Sequence, residues 1–134
     1  MSGETDLDRL IRSMKPMLNA GGYVFCTVDT LEQAAGLNPL GMFQEEEAVT
    51  VILLKTQADE ASLPCSAPLA WITLTVHSSL EAVGLTAAVS KALTEADISC
   101  NVVAANYHDH IFVPLDDAGR AMEALERLSK EGST

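Results

Sequence analysis

Basic and aromatic residues are scarce in this sequence. It contains 8 lysines and arginines against 19 aspartates and glutamates, which gives a formal net charge of −11 at pH 7. Nucleic-acid binding requires clustered Lys and Arg to neutralise phosphates, so this charge argues against a nucleic-acid partner. The same sign disfavours an anionic membrane surface. Aromatic residues make up 4% of the chain and hydrophobic residues 48%, so aliphatic side chains must fill the interior.

Cysteine is also scarce, and long apolar runs are missing. Cys26, Cys65 and Cys100 are scattered without a C-x-x-C spacing, so the sequence signals neither a zinc knuckle nor a redox pair. Two of the three could pair, but we expect buried or idle thiols in a reducing cytosol. The first residues are polar and acidic, unlike a signal peptide. No apolar run approaches the roughly 20 residues that span a bilayer. We therefore expect a cytoplasmic protein.

Recognisable catalytic motifs are absent from the sequence as well. There is no G-x-S-x-G, no P-loop and no G-x-G-x-x-G, and no cysteine stands beside a recognisable histidine partner. We therefore expect a protein that is not an enzyme and that needs no cofactor.

The most regular part of the chain is its second half, which predicts a strand, a helix, a hairpin and a second helix. Residues 71–76 nearly alternate apolar and polar positions, as strands do. Apolar residues at helical spacing follow from Leu85 to Ala96. Two apolar runs, residues 100–107 and 110–114, flank a polar corner at His108-Asp109 and predict a hairpin. Asp116 then opens a second amphipathic helix.

The first half has less regular signals. A short helix is predicted that is capped by Thr5 or Asp6, carries apolar residues up to Met14 and is ended by Pro16. Strands are predicted at Tyr23–Val28 and Ala48–Lys55. Between the strands the pattern predicts a loop with one helical turn. A ferredoxin-like sheet in the second half needs a fourth strand, and we expect one of these two first-half strands to supply it. The lobes should then depend on each other for folding.

The sequence of residues 83–114 resembles an ACT domain. The stretch is V-G-L-T-A-A-V-S-K-A-L-T-E-A-D-I-S-C-N-V-V-A-A-N-Y-H-D-H-I-F-V-P. It resembles most closely the small bacterial proteins made of two ACT-like halves and the ACT domains of eukaryotic arginine sensors. The resemblance implies an α+β, ferredoxin-like βαββαβ fold in two lobes, with antiparallel sheets and helices on one face. Residues 1–64 would form an irregular N-terminal lobe and residues 65–134 the C-terminal ACT domain.

The resemblance also implies a function. ACT domains typically sense small molecules, so we expect a non-catalytic regulatory protein that binds an amino acid or a similar ligand and forms a homodimer. One alternative is a structural or protein-interaction module that keeps the fold without a ligand. That alternative is favoured because Ala82 and Val83 stand where the family often carries Asp and Pro.

The turn between the predicted strand and helix is the first candidate site. A helix N-terminus can hold a carboxylate through its free N–H groups, and Gly84 would allow a ligand to approach closely. Valine at that position is expected to reduce ligand affinity with little effect on stability, because Val is no worse than Gly in a helix. The alternative is a plain helix cap with a packing glycine. The candidate residues of the turn are Ser78, Ser79, Glu81, Gly84 and Leu85.

The hairpin is the second candidate site. Asn101 lies on its first strand, and Asp109 matches the family's hairpin acid, which could accept a hydrogen bond from an ammonium group. His108 and His110 could instead be a metal pair in a small metal-dependent enzyme, with His77 as a third ligand. The plainer alternative is a solvated turn. The acidic run Glu45–Glu47 is interpreted as a solvated strand edge.

Overall fold

The computed structural model describes residues 6–75 and 84–131. The chain forms two compact units. The central unit is Ala20–Leu69, and the split unit combines Met1–Asn19 with Ala70–Thr134. In chain order the described elements are α1 (Asp6–Ser13), β1 (Lys15–Leu18), β2 (Tyr23–Val28), α2 (Leu31–Gly36), β3 (Gly41–Gln44), β4 (Val49–Leu54), α3 (Lys55–Glu60), β5 (Leu69–Thr75), α4 (Leu85–Glu95), β6 (Asn101–Ala104), β7 (Asp109–Pro114), the short 3₁₀ helix Leu115–Asp117 and α5 (Ala118–Glu131).

In the central unit, helices pack on one face of an antiparallel sheet. Its strands lie in the order β3-β4-β2, and β2 runs antiparallel to β4 from Tyr23 opposite Leu54 to Val28 opposite Val49. At its other edge β2 pairs with Leu69. Alternate residues of β2 and β4 point inward because side chains alternate along a strand. The core holds Val24, Cys26, Val28, Val49, Val51 and Leu53 from the strands, with Ala34 and Ala58 from the helices.

The split unit contains the strands β1-β5-β7-β6, neighbours in that order. β1 runs antiparallel to β5, and β6 runs antiparallel to β7. With β1 as the fourth strand, the unit has the βαββαβ elements of the ferredoxin-like fold, and the predicted α+β class is confirmed. The core contains Ile72 and Leu74 of β5, Ile111 and Val113 of β7, Leu85, Val89 and Leu93 of α4, Ala121 and Leu125 of α5, and Ile11 with Met14 from the N-terminal segment.

The fourth strand of the split unit corrects the sequence-based prediction. Neither predicted strand of the first half supplies it; β1 does, with Lys15 opposite Thr75 and Leu18 opposite Ile72. β1 gives little strand signal because it has four residues, none of them fully buried. Its proline is compatible with an outer strand, where a backbone N–H can be spared. Pro16 does follow the end of α1, but the chain continues directly into this strand.

Two further elements differ from the predictions. The tip of the C-terminal hairpin lies at Asn106-Tyr107, because the Ala105 N–H donates to the His108 carbonyl over 3.0 Å. His108 therefore pairs across the turn, and Asp109 and His110 belong to β7. In the first half, β3 was not predicted. All four of its residues are at least partly exposed, so it lacks the alternating burial that marks a strand.

The helix and strands of the first half that were predicted at residues 6–14, 23–28 and 48–55 are confirmed as α1, β2 and β4. The proposed division into lobes 1–64 and 65–134 stays a prediction; the compact units group Met1–Asn19 with the C-terminal half. Within the described ranges, no helix combines the length and apolarity that a membrane crossing requires.

Candidate functional site

An open cavity of about 380 Å³ lies in the central unit, where β2 turns into α2 and where β3 turns into β4. These are the same two features, a strand-to-helix turn and a hairpin, that the sequence marked as candidate sites in the second half. The residues that line the cavity are Asp29, Thr30, Leu31, Glu32, Gln44, Glu45, Glu46, Glu47, Ala48 and Val49.

The strand-to-helix turn of this cavity is held by a reciprocal cap. The Thr30 hydroxyl accepts a hydrogen bond from the Gln33 backbone N–H at 3.1 Å. The Gln33 side-chain oxygen accepts from the backbone N–H groups of Asp29 at 2.9 Å and Thr30 at 3.1 Å. This is a capping box, which satisfies helix-terminal donors with side chains. Because those donors are already used, they are not available to hold a ligand's carboxylate.

The hairpin side of the cavity is acidic. The Glu45 backbone N–H donates to the Ala48 carbonyl over 2.9 Å, so Glu46 and Glu47 form the tip of a tight turn. The Glu45 carboxylate accepts a hydrogen bond from the Thr50 hydroxyl, which fixes one of the acids on the strand. The acidic run was interpreted as a solvated edge; its side chains are indeed exposed, and they also line the cavity.

The charge of the cavity follows from its lining. Five of the ten lining residues are carboxylic acids, and none of the ten is Lys or Arg. The fields of neighbouring carboxylates add, so the cavity attracts cations and repels anions. An ammonium or guanidinium group is the chemical partner that such a lining favours, through charge-assisted hydrogen bonds.

Sequence reasoning missed Asp29 and Thr30 as cavity residues. The signal was present as T-L-E-Q at residues 30–33, which has the Thr and Gln spacing of a capping box. A capping box directly after a predicted strand predicts a strand-to-helix turn, and it would have placed the predicted helical turn at α2.

In the split unit, the structure describes part of the predicted turn. Ser78, Ser79 and Glu81 lie outside the described residues. Gly84 is the N-cap of α4 with φ = +100°, in the left-handed region, and Leu85 is buried in the core.

The close approach that Gly84 permits is made by Leu7. A Cβ atom at position 84 would lie 2.9 Å from the Leu7 Cδ2 atom of α1. The expectation that valine would be tolerated at Gly84 is therefore wrong, because both the positive φ and this contact oppose a side chain. A role for Gly84 in ligand binding stays a prediction.

The two predicted hairpin residues lie apart. Asn101 stands opposite Phe112, whereas Asp109 stands opposite Ala104, at the other end of the β6–β7 ladder. Since side chains alternate along strands and opposite residues share a face, Asn101 and Asp109 also lie on different faces of the sheet. The structure therefore does not bring these two residues together.

A polar cluster occupies the face of the split unit's sheet that carries Thr73 and His110. The Trp71 indole N–H donates to His110 Nδ1 over 3.0 Å, and the Thr73 hydroxyl lies 3.4 Å from the same nitrogen. The Asn19 amide donates to the Thr73 hydroxyl over 2.9 Å. Burial lowers the pKa of His110, the neighbouring His108 lowers it further, and Asp109 opposes the shift. Because an indole N–H can only donate, Nδ1 of His110 is the acceptor of the bond from Trp71.

His108 and His110 are near each other, with ring centroids 6.3 Å apart. The Nδ1 atom of His108 is buried without a hydrogen-bond partner, while Nδ1 of His110 accepts from Trp71. Across residues 6–75 and 84–131, no three His, Cys, Asp or Glu residues are grouped so that they could hold a metal ion. The third histidine, His77, lies outside these ranges.

Known protein families and structures resemble this chain over most of its length. Two family models, each described as an ACT domain, match residues 2–70 and residues 66–127. No curated protein matches. A solved structure of a protein of unknown function from Vibrio cholerae, described as a possible transport protein, is 48% identical over 92% of this chain and 95% of its own, with a TM-score of 0.85.

Two more distant structures share the fold. A protein from Agrobacterium tumefaciens is 16% identical over 87% of this chain and 89% of its own, with a TM-score of 0.69. The ligand-free regulatory subunit of aspartate kinase from Thermus thermophilus is 10% identical over 86% of this chain and 97% of its own, with a TM-score of 0.59.

Proposed function

Because the chain belongs to the ACT-domain family and carries two ACT domains in tandem, we propose that it is a regulatory protein that binds an amino acid or a similar small metabolite. It acts without catalysis, in the cytoplasm, and passes its signal to a separate partner. The observation that carries the proposal is the cavity of the central unit, which lies at the strand-to-helix turn and the hairpin.

The lining of the cavity restricts the chemical class of ligand that it can bind. The turn's capping box already uses the backbone N–H groups of Asp29, Thr30 and Gln33, and the acids of the hairpin tip favour a positive group. We therefore expect the ligand to direct an ammonium or guanidinium group at Glu46 and Glu47. A basic amino acid, which has two positive groups, fits this lining better than an acidic one.

The corresponding turn of the split unit is proposed as a second binding place. It comprises Ser78, Ser79, Glu81, Gly84 and Leu85, with Asp109 on the hairpin. Asn101 was predicted as a binding residue of the same hairpin, but it lies at the far end of the β6–β7 ladder from Asp109.

A homodimer is proposed from the edge of the central unit's sheet. β3 is the outer strand of the order β3-β4-β2, and its Met42 and Phe43 are 51% and 72% exposed. An exposed strand edge with apolar side chains can pair with a second copy. A two-fold axis would make the contact self-complementary.

The test is a thermal-shift screen of the full chain against the twenty common amino acids. A ligand that binds only the native state stabilises it by RT ln(1 + [L]/Kd), about 2.7 kcal/mol at one hundred times Kd. Lysine or arginine should give the largest rise in the melting midpoint. The double variant Glu46→Gln, Glu47→Gln should lose most of that rise, whereas Glu126→Gln, an exposed acid of α5, should keep it.

A second candidate function is an interaction module that keeps the fold without a ligand. It is favoured by the exposed Phe43 and by the Leu7 side chain beside Gly84. A flat response to all twenty amino acids, in a protein that melts cooperatively, would support this candidate against the sensor.

A further inference from the structure

Two of the three cysteines face each other in the central unit. Cys26 of β2 and Cys65 form an isolated antiparallel bridge, so the two residues stand directly opposite. Both are free thiols in this structure. Directly opposite residues of antiparallel strands have their side chains on the same face of the sheet. The two thiols therefore point to the same side.

The hydrogen bonds around the bridge identify its type. The Ser66 backbone N–H donates to the Phe25 carbonyl over 3.0 Å. A bond between the residue after Cys65 and the residue before Cys26 is the pattern that flanks a non-hydrogen-bonded pair. In a non-hydrogen-bonded pair the Cα atoms lie about 4.5 Å apart, and the side chains are closer together than in a hydrogen-bonded pair. That separation falls within the range of about 4.4–6.8 Å that a disulfide requires.

The pair is asymmetric in exposure. Cys26 is 3% exposed, within the core of the central unit, whereas Cys65 is exposed. Burial raises the pKa of the Cys26 thiol, and the charge of Cys65 and a hydrogen bond with its thiol raise it further. Cys65 is therefore the sulfur that a reagent in solution reaches first, and Cys26 is protonated and shielded until then.

We propose that Cys26 and Cys65 form a reversible disulfide bond with each other. The oxidant is a low-molecular-weight disulfide such as glutathione disulfide. The Cys65 thiolate attacks one sulfur of the reagent, breaks its S–S bond and releases one thiolate, leaving a mixed disulfide on Cys65. Cys26 then loses its proton and attacks the Cys65 sulfur, which releases the second thiolate. One reagent disulfide is reduced to two thiols, and two protein thiols are oxidised to one disulfide.

The bond would join β2 to the segment that follows α3. It would close the loop between positions 26 and 65, which restricts the unfolded chain and stabilises the central unit. β2 continues into Asp29 and Thr30 at the mouth of the cavity, so the oxidised form would also anchor the strand from which that turn leaves. The cross-link itself does not depend on the proposed ligand.

The experiment treats the full native chain with glutathione disulfide, blocks the remaining thiols with an alkylating reagent in denaturant, and maps the peptides by mass spectrometry. The expected product is a Cys26–Cys65 disulfide with Cys100 alkylated, and reduction should restore all three thiols. The oxidised protein should melt several degrees higher than the reduced protein.

Variants separate the steps. Cys26→Ser should stop at one glutathione attached to Cys65, because the second sulfur is missing. Cys65→Ser should leave Cys26 reduced in the native state, and Cys100→Ser should behave as the unmodified chain. The proposal is overturned if the unmodified chain retains a stable mixed disulfide on Cys65 with Cys26 still free. A mixture of all three possible pairs would overturn it too, since it would show that the native geometry does not select this one.

Discussion

Alanine at position 84 should destabilise the split unit, although glycine-to-alanine changes near helices usually stabilise. Gly84 has φ = +100° and caps α4. A Cβ there would lie 2.9 Å from Leu7 Cδ2, closer than ordinary contacts between carbon atoms at about 3.5–4.0 Å. Gly84→Ala therefore introduces backbone strain and a steric overlap together, and the Leu7 side chain must shift to make room.

The magnitude combines three effects. A left-handed backbone costs a residue with a Cβ roughly 1–2 kcal/mol. Extra volume in a packed site costs about 1–3 kcal/mol, at the lower end here because the end of a leucine side chain can rotate. Alanine recovers about 0.4–1 kcal/mol by restricting the unfolded chain. The free energy of unfolding should therefore fall by roughly 1–3 kcal/mol.

Urea unfolding followed by Trp71 fluorescence measures this change, because Trp71 belongs to the split unit and is the one tryptophan of the chain. Gly119→Ala is the matched control. Gly119 lies in α5 of the same unit, and a Cβ atom at this position would meet no other atom within 4 Å. Alanine there should stabilise by roughly 0.5–1 kcal/mol.

A double-mutant cycle separates strain from overlap. Leu7→Ala removes the overlapping atoms, so Gly84→Ala should cost less in that background, with the backbone strain remaining. If Gly84→Ala instead stabilises the protein as Gly119→Ala does, the assigned backbone conformation and the Leu7 contact are both refuted.

Two further predictions concern the split unit. A fragment of residues 68–134 should aggregate or stay unfolded, because it lacks β1 and the buried Ile11 and Met14. A peptide of residues 1–20 added in trans should restore its helical circular dichroism. Cooperative melting of the fragment alone would contradict the prediction. The lowered pKa of His110 means that the unfolded chain binds its proton first, so stability should decrease as pH falls through the ordinary histidine value of about 6.5 towards the lower native pKa. The urea midpoint should depend less steeply on pH in His110→Gln than in the unmodified chain. An equally steep dependence would contradict the assignment of this pH effect to His110.

The sequence predicted the parts of the fold that have strong periodicity. Residues 23–28 alternate in burial along β2, and α4 and α5 present apolar stripes, so local pattern and tertiary burial agree there. Hydrophobic periodicity failed to predict the strands that are held by backbone pairing with a neighbouring strand and not by burial of their side chains. β1 and β3 are short outer strands with mostly exposed side chains. In addition, the partner of β1 is distant in sequence, since Lys15 stands opposite Thr75.

The sequence predicted the kinds of structural element that form the candidate cavity, but not their position in the chain. The sequence pointed to a strand-to-helix turn and a hairpin, and the described cavity has both, but in the first half of the chain. There the turn at Asp29 was hidden because α2 has six residues, too few to show helical periodicity. Likewise, the Leu7 contact with Gly84 joins residues far apart in sequence, which no local pattern reports.

The split unit is built from the two ends of the chain, with the whole central unit inserted between Asn19 and Ala70. A ribosome releases β1 early, but its partner β5 follows only after the central unit has been made. The central unit needs no later segment than Leu69, which pairs with Tyr23 and so brings the ends of the insertion close together. Its folding shortens the loop that separates β1 from β5 and lowers the entropy cost of joining them. The topology therefore favours an order of assembly in which the central unit folds before β1 and β5 pair.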